Sequence, residues 1–150
     1  MDPILLAYIG VACMTGMSFV GSAYGVTICG NAVVGAMKKN PNALGSYIAL
    51  SALPSSQGLY GFVGYFMIQG FLVDSISMLT ASAILGAGLM MGFSGLLSSI
   101  RQGEVCANGI SAIGGGHNAF VPTMVMAVFP ELYAILALLV VILISNGLSV

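Results

Sequence analysis

Five stretches of this chain carry no charged residue: Pro3 to Met37, Asn40 to Val73, Ser75 to Ile100, Val105 to Pro130 and Leu132 to Val150. A helix needs roughly 20 apolar residues to cross a bilayer core of about 30 Å, and these runs are of that length or longer. Only three Lys/Arg and four Asp/Glu occur in 150 residues, which is 5% charged against about 25% in a soluble domain. Such a chain has no wettable surface. That excludes a free globular enzyme, a disordered tail and a nucleic-acid binder, which needs a basic face. Four spans are predicted, at about 4–36, 44–72, 76–112 and 119–147, the last interrupted by Glu131. No alternation of apolar and polar residues runs through them, so a membrane β-barrel does not fit. The expected fold is an all-α membrane protein of four transmembrane helices.

The opening Met1-Asp2-Pro3 has no basic segment, and the apolar run after it is too long for a signal-peptide core. The first span is expected to be retained as a helix. Cys13, Cys29 and Cys106 are odd in number and fall inside predicted spans. They read as buried thiols, not as a disulfide framework or a metal site.

Lys38-Lys39-Asn40-Pro41-Asn42 joins spans 1 and 2, and Gly114-Gly115-Gly116-His117-Asn118 joins spans 3 and 4. Both loops lie on one side of the membrane, with Arg101 nearer that side. Asp2, Asp74 and both termini lie on the other, which has no Lys or Arg. The excess of basic residues puts the loops in the cytoplasm and the termini outside. His117, in its glycine-rich turn, reads as a solvated loop residue.

The halves resemble each other. Gly30 and Gly103 stand 73 apart, as do Leu59-Tyr60 and Leu132-Tyr133. On that register Gly58 stands where the second half has Glu131, so each copy of the chain carries one site. Residues 1–73 and 74–150 are then two tandem hairpins related by a parallel duplication. So short a repeat suggests an array in which hairpins pack beside copies of themselves. Spans 1 and 3 are rich in glycine, with Gly21/Gly25 and Gly88/Gly92 in GxxxG spacing, and small residues let membrane helices approach closely. The bulkier spans 2 and 4 are expected to form an outer layer.

Glu131 is the residue that most needs explaining. A charged, unpaired carboxylate at the bilayer centre costs about 2.5–3.5 kcal/mol or more, so such a residue is a functional candidate. Residues equidistant from a hairpin turn share a depth, and this arithmetic sets Gln102 opposite Glu131. Gln57 falls at the same level, at about 1.5 Å of rise per residue. Leu53, Ser56, Gln57 and Tyr60 follow an i, i+3, i+4, i+7 pattern and share one helix stripe. Pro54 and Pro130 flank the site, and a proline inside a helix frees a carbonyl one turn back. The donors are a carboxylate, two amides, a hydroxyl and a carbonyl. Oxygen-only donors suit a hard cation rather than a transition metal, which points to Na⁺ or H⁺. Arg101 and Glu104, three residues apart, are expected to pair with each other. No Ser-His-Asp set, phosphate-binding glycine loop or Cys/His cluster occurs, and no ATP site is visible.

Three segments carry a family resemblance: Leu53-Pro54-Ser55-Ser56-Gln57-Gly58-Leu59-Tyr60-Gly61-Phe62, Gln102-Gly103, and Pro130-Glu131-Leu132-Tyr133-Ala134-Ile135-Leu136. They resemble the proteolipid (K) subunits of bacterial Na⁺-transporting V-type rotary ATPases, the duplicated four-helix form of the c-ring family. The likeness spans essentially the whole chain. It implies a rotor ring of identical copies in the bacterial plasma membrane, embedded in lipid and turned by ATP hydrolysis in a separate head. The chain itself would then catalyse nothing. It also implies a stator membrane subunit with two half-channels, and central stalk subunits met at the loop of Lys38, Lys39 and Asn42. Glu131 is then the ion-carrying carboxylate. Leu53 (carbonyl), Ser56, Gln57 and Gln102 become further Na⁺ ligands, with Tyr60 closing the site by a hydrogen bond to Glu131. Ser56 stands where these relatives usually carry Thr, and keeps the hydroxyl. The same ring carrying H⁺ is the alternative. A stand-alone proton-coupled transporter would work without an ATPase head, and a purely structural proteolipid has no use for Gln57, Gln102 and Glu131 together.

Overall fold

The computed structural model describes residues 2–148. It is all helical: α1 (Pro3–Met37), α2 (Leu44–Ala52), α3 (Ser56–Ile68), α4 (Met78–Gly114) and α5 (Phe120–Gly147). α1 begins at Asp2, whose carboxylate accepts from the Ile4 amide at 3.3 Å, with Pro3 at the first helical position. α4 begins at Ser77, whose hydroxyl oxygen accepts from the Thr80 amide at 3.1 Å. Gly116 turns the second hairpin with φ +89°, a conformation that costs glycine nothing.

α1, α4 and α5 are each long and apolar enough to cross a membrane. The expected span at 44–72 is instead a broken rod, in which α2 and α3 are joined by a 3₁₀ turn at Leu53–Ser55. Pro54 has no N–H to continue the helical ladder. The carbonyls around the break are met by side chains: the Ser55 hydroxyl donates to Ala52 O and the Ser99 hydroxyl to Pro54 O, both at 2.6 Å. Pro130 leaves α5 continuous.

α1 and α4 form the inner pair, running parallel with backbones in contact. A Cβ on Gly10 would stand 2.7 Å from Ile84 O, and one on Gly21 would stand 2.6 Å from Leu96 Cα; one on Gly88 would collide with Gly10 O. The two loops meet at one end, where the Asn40 amide donates to Ile113 O at 3.2 Å. Two apolar clusters divide the interior. One holds Met14, Ile84, Met91 and Val141; the other holds Cys29, Tyr47, Leu50, Cys106 and Ile110. A buried polar layer of Ser18, Gln57, Ser99 and Gln102 lies between them. All three cysteines are free.

The hairpins repeat at a register other than 73. Gly10 and Gly86, Gly16 and Gly92, and Pro54 and Pro130 each stand 76 apart, and α1 and α4 end 77 apart. The counterpart of Glu131 is therefore Ser55, and that of Gly58 is Ala134. The first hairpin still has no carboxylate at the equivalent place.

Candidate ion-binding site

Glu131 sits near the middle of α5, half-buried, and collects three hydrogen bonds. The hydroxyls of Ser56 and Tyr60 each lie 2.7 Å from its Oε1. Gln102 Nε2 donates to its Oε2 at 2.8 Å. Three elements thus meet on one carboxylate: α3 through Ser56 and Tyr60, α4 through Gln102, and α5 itself. Ser56 and Tyr60 are one helical turn apart and so share a face. Gln102 lies opposite Glu131, as the hairpin arithmetic anticipates.

The amides are ordered by their neighbours. Gln102 is fully buried; its Nε2 also donates to Ala127 O at 3.0 Å, one turn before Pro130. Its Oε1 accepts from Gln57 Nε2 at 2.8 Å. Gln102 therefore turns its nitrogen toward Glu131, and its oxygen faces Gln57. Gln57, also fully buried, gives its amide hydrogen to Gln102 and has no hydrogen bond to Glu131 among the described residues. Its Oε1 stands 3.2 Å from Ser56 Oγ.

Ser56 Oγ is the centre of an oxygen cluster. Glu131 Oε1 lies 2.7 Å from it, Leu53 O 3.1 Å and Gln57 Oε1 3.2 Å. A hydroxyl has one proton to donate, so it satisfies one of these three acceptors. Of these, Leu53 O also accepts the Ser56 N–H, and Glu131 also accepts from Tyr60 and Gln102, so Gln57 Oε1 is the oxygen left without a donor when the Ser56 proton goes to Glu131. The donors to Glu131 are all neutral, and the ion pair between Arg101 and Glu104 is the one found among the described residues. The cluster therefore has a surplus acceptor, a carboxylate and no side-chain cation. Its chemistry calls for a bound cation or a proton.

Lys38, Lys39 and Asn42 lie at the loop end of the bundle, exposed and away from Glu131, and His117 is exposed in the opposite loop. Two contributors are not apparent from the spacing of polar residues. Ser99 clamps the Pro54 carbonyl, and Ala127 O holds Gln102. Neither carries a mark in the sequence: Pro130 frees the carbonyl four residues back, at Met126 rather than Ala127, and Ser99 is one of several helix serines.

The profile of the family described as the C subunit of ATP synthase matches the chain twice, over residues 9–68 and 85–144. These stretches stand 76 apart, the register seen in the helices. The A-type ATP synthase subunit K of Methanocaldococcus jannaschii is 36% identical over 97% of this chain. The chain spans 64% of that protein's length. The V-type sodium ATPase subunit K of Enterococcus hirae is 35% identical, over 91% of this chain and 88% of its own. The 16 kDa proteolipid of the human V-type proton ATPase is 27% identical, over 93% of this chain and 90% of its own.

Proposed function

The chain belongs to the ATP synthase C-subunit family, and from that premise we propose that it is the rotor-ring proteolipid of a V/A-type ATPase and carries Na⁺ at Glu131. The observation that carries this reading is the oxygen cluster around Ser56. A carboxylate, a backbone carbonyl and an amide oxygen converge on one hydroxyl, which has a single proton to share among them, with no Lys or Arg within ion-pair distance among the described residues. Na⁺ is the cargo that neutralises Glu131 and gives those oxygens a common partner. The similarity to a sodium ATPase subunit supports Na⁺ over H⁺.

In this reading Leu53 O, Ser56 Oγ, Gln57 Oε1 and Glu131 are ligands. Gln102 joins them by a half-turn of its amide that gives up its bond from Gln57 Nε2, while Gln57 keeps its oxygen in the cluster. Tyr60 holds Glu131 toward α3 and keeps the site closed. Release needs a competing cation, which by family resemblance is an arginine of the stator beside its half-channels. ATP is hydrolysed in another part of the complex, and this chain transmits rotation. The loop of Lys38, Lys39 and Asn42 is the proposed stalk contact. Its two lysines set the loop end in the cytoplasm and the termini outside a bacterial plasma membrane.

The test is ATP-driven uptake of radiolabelled Na⁺ by vesicles holding the whole complex with Glu131→Gln. Uptake is expected to be abolished while the ring still assembles. Undiminished uptake rejects the carboxylate role. In the wild-type complex, acidification of the lumen that is indifferent to Na⁺ replaces Na⁺ by H⁺ as the cargo.

A further inference from the structure

Arg101 and Glu104 pair at 2.8 Å on the outward face of α4, yet their side chains remain 70% and 45% exposed. Neighbouring Gln102 bonds Glu131, so the pair lies at the level of the site, inside the apolar length of α4. Hydrocarbon chains do not solvate a guanidinium at such a depth, and intramembrane charges face protein or a water-filled cavity. Something other than lipid covers this face.

The internal repeat indicates what does. Shifted by 76, the first hairpin becomes the second, and the second packs against the first through α1 and α4. One more application of the shift turns each α1–α4 contact into a contact between α4 and α1 of a second copy. The approach of Gly21 to Leu96 becomes Leu97 to Val20. The approach of Gly25 to Ser99 and Gly103 becomes Arg101 to Ala23 and Thr27. Contact of Ser18 with Gly95 becomes contact of Ser94 with Phe19. Every residue generated this way is exposed or half-exposed in the single copy, whereas the parents Gly21, Gly25, Ser99 and Gly103 are buried.

Two features of the isolated chain match an absent occupant. A groove of about 510 Å³ opens between α4 and α5 beside Leu97, Ser98, Arg101, Pro130 and Tyr133. Its counterpart in the first hairpin (Gly21, Gly25, Pro54, Gln57) is filled by α4. Ser98, 7% exposed, lines the open groove with a hydroxyl that has no hydrogen-bond partner. On α1, Ala23, Tyr24 and Thr27 border a notch of about 170 Å³.

We propose that the α4/α5 groove receives α1 of a second copy, and that Arg101 enters that copy's notch at Ala23, Tyr24 and Thr27. The Tyr24 ring offers the guanidinium an aromatic face. The Thr27 hydroxyl, whose proton goes to Ala23 O at 2.7 Å, keeps lone pairs to accept from it. The proposal rests on the rotor-ring reading and adds which surfaces meet and in what register. It also makes each junction between copies an ion-silent version of the junction within a copy. Ser55 stands there for Glu131, and Val26 for Gln102.

Disulfide trapping tests the register, in a chain with Cys13, Cys29 and Cys106 replaced by alanine and carrying Ser94→Cys and Phe19→Cys. Within one copy these side chains face different neighbours: Phe19 lies over Gly58 of α3, and Ser94 lines the groove beside α5. Oxidation of the assembled ring should give a ladder of covalent multimers on denaturing gels, lost when either cysteine is omitted. A ring intact by native mass spectrometry but without the ladder overturns the register and leaves the rotor reading standing. Absence of a ring from the wild-type chain removes both. If the cysteine variant fails to assemble, Arg101→Ala in the otherwise unchanged chain decides. Its ring should dissociate in detergent at a lower temperature than wild type, and an unchanged temperature overturns the proposal.

Discussion

At the scale of single residues, Ser56 connects the carboxylate to the other oxygens of the site. Ser56→Ala removes the atom that lies 2.7 Å from Glu131 and 3.1 Å from Leu53 O. Losing a buried polar contact costs about 1–3 kcal/mol, and about 1.4 kcal/mol is tenfold in affinity. The Na⁺ concentration needed for half-saturation should therefore rise roughly tenfold in Ser56→Ala and change little in Ser56→Thr, as read by Na⁺ titration of the ring. The depth of these residues is legible in the sequence: rise per residue and distance from the turn set Gln102 against Glu131. Which atom of each amide points where is not legible. Gln102 gives its nitrogen to Glu131 because Ala127 O and Glu131 Oε2 both need a donor and Gln57 supplies a proton to its oxygen. That is a property of three side chains and a carbonyl together, and no spacing encodes it.

Among the elements, the close pair of α1 and α4 rests on glycines whose missing side chains leave room for backbone. A Cβ on Gly88 collides with the Gly10 carbonyl, a rigid backbone atom that cannot swing aside. Overpacking of a tight interior typically costs about 1–3 kcal/mol. Gly88→Val should accordingly lower the unfolding temperature of the protein in detergent, whereas Gly30→Ala, with open space around its Cβ, should leave the isolated chain's stability near wild type. Helices α1, α4 and α5 are readable from long apolar runs, broken only at Arg101, Glu104 and Glu131, and the inner pair from its glycines. The second rod is not readable as two helices, because hydropathy does not register the N–H that Pro54 lacks. Nor do matching dipeptides give the repeat register. Leu59 and Tyr133 are 65% and 69% exposed, so packing within the chain does not dictate their identity. Proline positions and helix ends, which set where each hairpin bends, give 76.

For the molecule as a whole, composition alone settles that the chain lives in a membrane. Its large outward residues, such as Phe62, Phe66, Leu136 and Leu143, remain exposed in the single copy and suit lipid. The Arg101–Glu104 pair does not suit lipid, and it turns a surface otherwise readable as apolar into one that requires a neighbour. The most direct measurement of the central claim is carbodiimide labelling of Glu131 in membranes holding the assembled ring, with and without Na⁺ and across pH. The reagent attacks the protonated carboxyl, so Na⁺ and the proton compete for one group, and Na⁺ should protect best at higher pH. Protection of Glu131 by millimolar Na⁺, weakened in Ser56→Ala, is the predicted result. Labelling that ignores Na⁺ and falls only as pH rises contradicts the account and makes this a proton ring, with the two glutamines as hydrogen-bond partners alone.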